Sequence, residues 1–314
     1  MRALLTGGAG LIGSHLAERL VARGDEVVVL DDLSTGRREN LRDAERSGRV
    51  RFIEGSVCDV EAVRRAVEGC AQVFHLAAAV GVRMIVERPL HTLITNVNGT
   101  EAVLREATAQ GAATLVVSSS EVYGRSARIP YAEDGDLVLG PPTVARWGYA
   151  CSKLHDEFLA FAFAREQGAR VVVARIFNTV GPRQIGRYGM VVPRMVSQAK
   201  AGGPIEVHGD GSQRRCFAYA GDTARTLLAL LDRPEAHGEV FNVGHDDELR
   251  ILDLAQRVRA RFAPGCEIRH VPYAEAFGPG FEDLPRRVPD LRKVRGLLGP
   301  SPALSIDEIL ARFS

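Results

Sequence analysis

The sequence predicts an α/β fold, in which a doubly wound parallel sheet carries a smaller C-terminal α/β domain. Short apolar runs alternate with amphipathic stretches, a glycine-rich turn follows the first run, and prolines break the pattern after residue 178. Strands covered by helices on both faces are apolar almost throughout, and right-handed crossovers wind such strands into a doubly wound sheet. We therefore predict one domain over residues 1–178 and a second over residues 179–314.

Each element of the main sheet is predicted from a local pattern. The predicted strands are Ala3–Leu5, Val27–Leu30, Arg51–Ile53, Val73–Leu76, Leu115–Val117 and Val171–Ile176. Helical periodicity fills the intervals, beginning with Ser14–Ala22. In the second half, the helical stretch Asp222–Leu231 and the strand-like run Val240–Val243 suggest that the segment of about 217–245 returns to the main sheet.

Composition excludes several classes of protein. The 40 basic and 39 acidic residues leave a net charge of +1, so no overall field favours nucleic acid or an anionic membrane. The five cysteines are scattered and form no C-x-x-C pair, which argues against a disulfide framework and a zinc site. No apolar run approaches the roughly 18 residues of a membrane span, and no signal-peptide pattern is present. We expect a cytoplasmic protein without a metal.

The glycine-rich turn predicts a dinucleotide site. Residues 6–13 read Thr-Gly-Gly-Ala-Gly-Leu-Ile-Gly between the first strand and the first helix. Glycines let the backbone approach a pyrophosphate, whose charge is met by the helix N-terminus. Asp31 ends the second strand, where a carboxylate binds ribose hydroxyls and repels a 2′-phosphate. Alone, Asp31 would be interpreted as a solvated turn residue; together with the glycines it indicates NAD rather than NADP.

A tyrosine and a lysine provide a proton-handling pair. Tyr149 and Lys153 share one face of a predicted helix, which follows the serine-rich turn after the fifth strand. Ligands bind beyond the carboxyl ends of parallel strands, so that turn and this helix should converge at the nicotinamide. The ammonium and the positive nicotinamide both favour the phenolate, which makes Tyr149 a base, and Ser119 can share the proton.

Several segments, in order, resemble the NAD-dependent epimerase/dehydratase branch of the extended short-chain dehydrogenases/reductases. They are TGGAGLIGSH, DDLSTG, HLAA, NVNGT, SSSEVYG, YACSK, RIFNTVGPRQ, HGDGSQRRCF and RRVPD. The resemblance implies a Rossmann domain, a UDP-sugar substrate, and bound NAD that oxidises the sugar at C4 and later returns the hydride. The NAD contacts that it implies are Gly7, Gly10, Leu11, Ile12, Asp31, Asp32, Ser34, Gly36, Ser56, Val57, Leu76, Ala77, Ala78, Tyr149, Lys153 and Phe177.

The resemblance also implies a substrate site. Arg215 and Arg287, with Asn178, correspond to residues that bind the diphosphate, and His208 stands where relatives stack an aromatic ring on uracil. The full set of implied substrate contacts is Ser119, Ser120, Glu121, Tyr149, Asn178, Arg187, Val191, Val207, His208, Gln213, Arg215 and Arg287.

Two features favour different reactions on that substrate. Ser120 stands where dehydratase relatives have an aspartate, which disfavours loss of water. Glu121 lies in a segment that resembles the decarboxylases, but it could equally close a loop hydrogen-bond network. The loop at 181–190 resembles that of uronate 4-epimerases, in which Arg187 would clamp the C6 carboxylate and resist loss of CO2. We expect a 4-epimerase that interconverts UDP-glucuronate and UDP-galacturonate through a 4-keto intermediate. A UDP-glucuronate decarboxylase and then a UDP-glucose 4-epimerase are the alternatives, and the Tyr149–Lys153 pair disfavours a non-catalytic NAD-binding protein.

The helix predicted at Tyr149–Arg165 is apolar around more of its circumference than one core contact needs. Its apolar residues include Leu154, Phe158, Leu159, Phe161, Ala162 and Phe163. A second buried face is typical of a subunit contact, so we expect a homodimer that also uses the helix near Thr95–Ala109.

Overall fold

The computed structural model describes residues 1–186, 190–277 and 283–313. Its main layer is a parallel sheet of seven strands in the order β11-β6-β5-β4-β1-β2-β3. These strands are β1 (Arg2–Thr6), β2 (Glu26–Asp31), β3 (Val50–Glu54), β4 (Gln72–His75), β5 (Ala113–Ser119), β6 (Val171–Ile176) and β11 (Glu239–Val243). The order reverses between β1 and β4, which confirms the predicted doubly wound fold.

Helices cover both faces of this sheet. They are α1 (Leu11–Arg23), α2 (Arg42–Glu45), α3 (Val60–Val67), α4 (Val82–Glu87), α5 (Pro89–Ala109), α6 (Ala145–Gln167), α8 (Ala220–Leu231) and α11 (Arg292–Leu298). Helices α1 and α8 pack together over one face, where Leu16, Leu20 and Leu227 are buried. On the other face α5 packs between α3 and α6, with Val63 and Val103 buried against the sheet.

A second core lies in the C-terminal part of the chain. The helices there are α7 (Val191–Lys200), α9 (Ile251–Phe262), α10 (Tyr273–Phe277) and α12 (Ile306–Ala311). The short strands are β7 (Thr179–Val180), β8 (Ile205–His208), β9 (Arg214–Arg215), β10 (Ala218–Tyr219), β12 (Leu249–Arg250), β13 (Ile268–Val271) and β14 (Arg286–Arg287). Met195, Ile205 and Leu254 are buried in this core.

The chain passes between the two cores more than once. Strand β11 pairs in parallel with β6, and α8 packs on α1, so residues after 217 contribute to the main layer. A cut of the chain at residue 178 stays a prediction. Within the described ranges, none of the helices combines the length and the apolar character needed to cross a lipid bilayer.

Candidate active site

A cavity of about 510 Å³ opens beyond the carboxyl ends of the central strands. Gly7 follows β1, Asp31 ends β2, Leu76 follows β4, Ser119 ends β5 and Phe177 follows β6, and all five line it. The far wall comes from the smaller C-terminal core. The cavity therefore lies at the topological switch of the sheet, where open α/β folds bind their ligands.

The glycine turn forms the floor of one end. Gly7 has φ +70°, and a Cβ there would lie 2.7 Å from the backbone nitrogen of Ala77. A Cβ on Gly13 would lie 2.4 Å from the Gly7 carbonyl oxygen. Gly10 caps α1 without a side-chain hydrogen bond, so the first N–H groups of the helix remain for a ligand. This cradle fits the pyrophosphate of a dinucleotide.

Asp31 connects the glycine turn that follows β1 with the end of β2. Its carboxylate accepts a hydrogen bond from Ala9 N at 2.9 Å and another from Leu33 N at 2.9 Å. Burial raises the pKa of Asp31, and these two N–H donors partly oppose that rise. Asp31 therefore ties the glycine turn to the end of β2, a role that its position at the end of a strand did not reveal.

The structure brings most of the predicted contacts together. The cavity wall includes Gly7, Gly10, Leu11, Ile12, Asp31, Asp32, Ser34, Val57, Leu76, Ala77, Ala78, Ser119, Ser120, Glu121, Tyr149, Lys153, Phe177, Asn178, Val191, His208, Gln213, Arg215 and Arg287. Their roles as NAD or substrate contacts stay predictions. Arg187, the predicted carboxylate clamp, lies outside the described residues.

Three predicted contacts do not belong to this wall. Gly36 packs behind the glycine turn, because a Cβ there would lie 2.9 Å from the Ala9 carbonyl carbon. The Ser56 hydroxyl accepts a hydrogen bond from Cys58 N at 3.2 Å, and only its neighbour Val57 reaches the cavity. Val207 points into the C-terminal core, because side chains alternate along β8 and His208 takes the side that faces the cavity.

Tyr149 and Lys153 lie in the middle of the cavity. Tyr149 is buried, and its hydroxyl lies beside the Ser119 side chain. Burial raises the pKa of Tyr149 above its usual value, and the Lys153 ammonium and Ser119 offset only part of that rise. We expected the Lys153 ammonium and the positive nicotinamide together to make Tyr149 a base. Because burial outweighs the lysine alone, the phenolate also needs the positive charge of the nicotinamide.

Lys153 is itself held by the protein. Its Nζ donates to the Val117 carbonyl at 3.0 Å and to Asp156 Oδ2 at 2.9 Å. Burial lowers the pKa of the ammonium, but Asp156 and Tyr149 raise it more, so Lys153 carries its charge. The sequence pattern had indicated the tyrosine–lysine pair without this carboxylate partner.

Glu121 lies at the other end of the cavity, between two arginines. Its Oε2 accepts a hydrogen bond from Arg146 Nη2 at 2.8 Å, and its Oε1 pairs with Arg287. Arg287 also donates to Asn178 Oδ1 at 3.0 Å. Burial opposes ionisation, yet Arg287 and Arg146 hold the pKa of Glu121 at about 2. Glu121 is therefore an anion that neutralises much of the nearby positive charge.

A second carboxylate completes this network. Asp283 accepts hydrogen bonds from Arg215 Nη2 at 2.7 Å, from Arg146 Nη1 at 3.3 Å and from the Tyr273 hydroxyl at 3.1 Å. Sequence reasoning missed Arg146, Asp283 and Tyr273, because they lie far apart in the chain and in no motif. The forked donors of Arg146 and Arg215 suit phosphate oxygens, so these arginines can exchange the Asp283 carboxylate for a diphosphate.

Comparisons with known proteins agree with this geometry. The model of the NAD dependent epimerase/dehydratase family matches residues 3–244. A UDP-N-acetyl-alpha-D-glucosaminuronate decarboxylase from Bacillus cytotoxicus is 36% identical over 308 residues, 98% of this chain and 94% of that protein. UDP-glucuronic acid decarboxylase 1 from Arabidopsis thaliana is 37% identical over 316 residues, 100% of this chain and 69% of that protein.

A solved structure shows the same fold with ligands. The UDP-glucuronic acid 4-epimerase from Bacillus cereus, in complex with UDP-glucuronic acid and NAD, superposes with a TM-score of 0.88. The two are 26% identical, and the match covers 99% of this chain and 97% of that chain. The predicted family and cofactor are confirmed, and the curated relatives favour the decarboxylase alternative over the predicted 4-epimerase. This chain belongs to the NAD-dependent epimerase/dehydratase family, and its cofactor is NAD.

Proposed function

We propose that the protein decarboxylates a UDP-hexuronate, either UDP-glucuronate or its 2-acetamido analogue. The observation that carries this proposal is the ionised Glu121, which lines the cavity near Ser119 and pairs with Arg146 and Arg287. The names of the relatives, which are 36% and 37% identical to this chain, support the same reaction. The proposal replaces the 4-epimerase that we expected from the sequence.

The charge of Glu121 bears directly on the choice of reaction. Oxidation at C4 of a uronate creates a β-keto acid, which loses CO2 when the carboxylate electrons delocalise into the ketone. An arginine that clamps the carboxylate resists this loss, because it stabilises the charge that must disappear. Glu121 already pairs with Arg146 and with Arg287, the predicted diphosphate contact, so neither arginine is available to clamp the sugar carboxylate. An epimerase needs the opposite arrangement.

Tyr149, Ser119 and Lys153 supply the proton steps. When bound, NAD supplies the removal of a hydride from C4 and its later return. Tyr149 takes the proton of the C4 hydroxyl, while Ser119 hydrogen-bonds the same oxygen and Lys153 stabilises the phenolate. As CO2 leaves C5, its bonding electron pair moves to the ketone oxygen, to which Tyr149 returns its proton. C5 then takes a proton from water as the ketone forms again and the hydroxyl proton goes back to Tyr149. When the hydride returns to C4, Tyr149 donates this proton to the C4 oxygen, which restores the hydroxyl and the phenolate.

The test is direct product analysis. The protein is incubated separately with UDP-glucuronate and with UDP-N-acetylglucosaminuronate, and products are identified by mass and NMR. We expect CO2 and a UDP-pentose, or its 2-acetamido analogue, and no product with Tyr149→Phe. An unchanged mass with inverted C4 would overturn the decarboxylase and restore the 4-epimerase.

The glutamate offers a second test of the same proposal. In Glu121→Gln the positive charges of Arg146 and Arg287 are no longer neutralised, so they can hold the substrate carboxylate. We expect uronate binding to tighten while CO2 release falls by about 100-fold, which corresponds to about 2.7 kcal/mol. Calorimetry with the substrate and a CO2 assay measure the two effects. Unchanged CO2 release would contradict the proposed role of Glu121 and would show that it only closes a loop hydrogen-bond network.

Uronate 4-epimerisation remains the second candidate because of the loop at 181–190 and the similarity to a solved uronate 4-epimerase. Its discriminating variant is Arg187→Ala. If the arginine clamps the carboxylate, the variant should bind UDP-glucuronate at least about tenfold more weakly, leave UDP-glucose binding unchanged, and release CO2. A decarboxylase shows no gain of CO2 release in this variant.

We also propose a homodimer in the cytoplasm. Apolar side chains are exposed on three neighbouring helices: Val86 on α4, Leu90, Leu93 and Ile94 on α5, and Phe158 on α6, which is 68% exposed. Exposed apolar surface of this kind is typical of subunit contacts. All five cysteines are free, as in a reducing compartment.

Light scattering tests the dimer. We expect twice the monomer mass for the wild type and a shift towards monomer for Phe158→Glu. Val138, which is 44% exposed and lies outside these helices, provides the matched control Val138→Glu, which should stay dimeric. A monomeric wild type at micromolar concentration would contradict the proposal.

A further inference from the structure

A buried carboxylate lies behind the catalytic pair, outside the cavity wall. Asp156 has no exposed surface, and its Oδ2 accepts a hydrogen bond from Lys153 Nζ at 2.9 Å. The Val117 carbonyl accepts a second bond from the same ammonium at 3.0 Å. Two of the three ammonium N–H groups are therefore used by the protein, which fixes the position of the charge relative to Tyr149.

Asp156 is supported from the sheet through α5. Thr100 lies beside the Asp156 carboxylate and helps to lower its pKa, and the Thr100 hydroxyl oxygen lies 3.0 Å from His75 Nε2. His75 Nδ1 in turn lies 2.7 Å from the Thr6 hydroxyl, at the end of β1. Burial, helped by the nearby Lys153 charge, lowers the pKa of His75 to about 3, so the ring is neutral at ordinary pH. This neutral chain orients Asp156 without adding charge.

We infer that Asp156 is a positioning residue that sets how strongly Lys153 activates Tyr149. Its negative charge holds the ammonium against β5 and weakens the positive potential that the phenol experiences. The reaction requires Tyr149 to release its proton as readily as it accepts one, so a lysine without a counter-charge would hold the phenolate too firmly. The inference rests on the proposed catalytic role of Tyr149.

The charges around the pair determine the sign of the effect. For Tyr149, burial raises the pKa, Lys153 lowers it, and Glu121 and Asp156 raise it. For Asp156, burial raises the pKa, and Lys153, Thr100 and His155 lower it. Glu157 also favours the charged form of Lys153. Removing only the Asp156 charge, while Lys153 stays protonated, must therefore lower the pKa of Tyr149.

The test is Asp156→Asn in the NAD-loaded protein, read by the titration of Tyr149 itself. The phenolate absorbance of Tyr149 is isolated as the difference from the same protein carrying Tyr149→Phe, so no substrate is needed. We expect the midpoint to move to lower pH by about one unit, and the acid limb of kcat/KM to move with it. An unchanged midpoint, or a move to higher pH, would overturn the inference.

The adjacent glutamate provides a matched control. Glu157 is also buried on α6, but it pairs with Arg175 Nη2 at 2.8 Å and with the Ser118 hydroxyl at 2.5 Å. Glu157→Gln should lower stability without moving the Tyr149 midpoint by more than a few tenths of a unit. Should Asp156→Asn fail to fold, Thr100→Val replaces it, because Thr100 helps to keep the Asp156 carboxylate charged. We expect the Tyr149 midpoint to move in the same direction by a smaller amount. The absorbance measurement needs no substrate, so it tests the inference even if the protein does not decarboxylate uronates.

Discussion

The two ends of the cavity are built from different interactions. At the dinucleotide end, the main chain makes the shape: the Gly7 turn lies against Ala77, and Asp31 ties Ala9 to the end of β2. At the sugar end, long side chains make the site, as where Arg287 meets Glu121 across 166 positions of sequence. The first end tolerates little change in shape, and the second tolerates little change in charge. Four experiments test that difference.

The largest expected effect is on Tyr149, which lies where the two ends meet. Tyr149→Phe should lower kcat by about 10²–10⁴-fold, the range for loss of a general acid–base group, while NAD remains bound. Turnover and NAD content of the purified variant measure the two quantities. Tyr131→Phe is the control, because the Tyr131 hydroxyl donates to the Gly124 carbonyl at 3.4 Å and Tyr131 does not line the cavity. This variant should lower kcat by less than about tenfold. A Tyr149→Phe rate close to that of the wild type would remove the catalytic role.

Two glycines test whether the dinucleotide end depends on the shape of the main chain. Gly7 has φ +70° and Gly48 has φ +69°, but a Cβ would clash at Gly7 and would meet nothing within 4 Å at Gly48. Gly48→Ala should therefore cost only the left-handed strain of about 1–2 kcal/mol and keep NAD. We expect Gly7→Ala to cost more and to lose NAD. Urea unfolding and the NAD content of the purified proteins compare the two variants. Equal stability and equal NAD content would mean that the close approach of Gly7 to the Ala77 backbone is unimportant.

Glu121 tests the claim about charge through the pH dependence of stability. Its folded pKa of about 2 is below the unfolded value, so its stabilisation is complete above about pH 5 and disappears as the pH falls towards 2. The unfolding free energy of the wild type should fall more steeply in that window than that of Glu121→Gln. The difference in slope approaches about 1.4 kcal/mol per pH unit. Parallel curves would show that Arg146 and Arg287 do not hold the glutamate as an anion.

The smallest expected effect concerns cofactor choice. The Asp31 carboxylate should repel the 2′-phosphate, so we expect the wild type to bind NADP at least about tenfold more weakly than NAD. Asp31→Asn keeps an acceptor for Ala9 or Leu33 and should narrow this ratio. Calorimetry with both dinucleotides measures it. Equal affinity of the wild type for the two would contradict the electrostatic explanation.

Sequence reasoning was most successful where the structural signal is local. The apolar runs predicted the strands of the main sheet, and the run Val240–Val243 indeed forms most of β11. The glycines and Asp31 indicated NAD because their spacing belongs to a single βαβ unit. Gly36, Ser56 and Val207, which the resemblance implied as contacts, lie outside the cavity wall, and their contact with NAD or substrate stays a prediction. For the reaction, the sequence reasoning gave one loop more weight than Glu121, whereas the curated relatives favour the decarboxylase alternative.

By itself, the sequence determined the doubly wound sheet, the glycine cradle, the NAD cofactor and the Tyr149–Lys153 pair, because periodicity and short spacings encode each of them. Only the tertiary structure decided that Arg146 and Arg287 hold Glu121, that Asp283 bridges Arg146 and Arg215, and that Asp156 holds Lys153 from behind. Most of these ion pairs join residues far apart in the chain, and burial determines the strength of each. Neither distance in space nor burial leaves a periodic trace in the sequence, so the charge balance of the site becomes visible only in the folded protein.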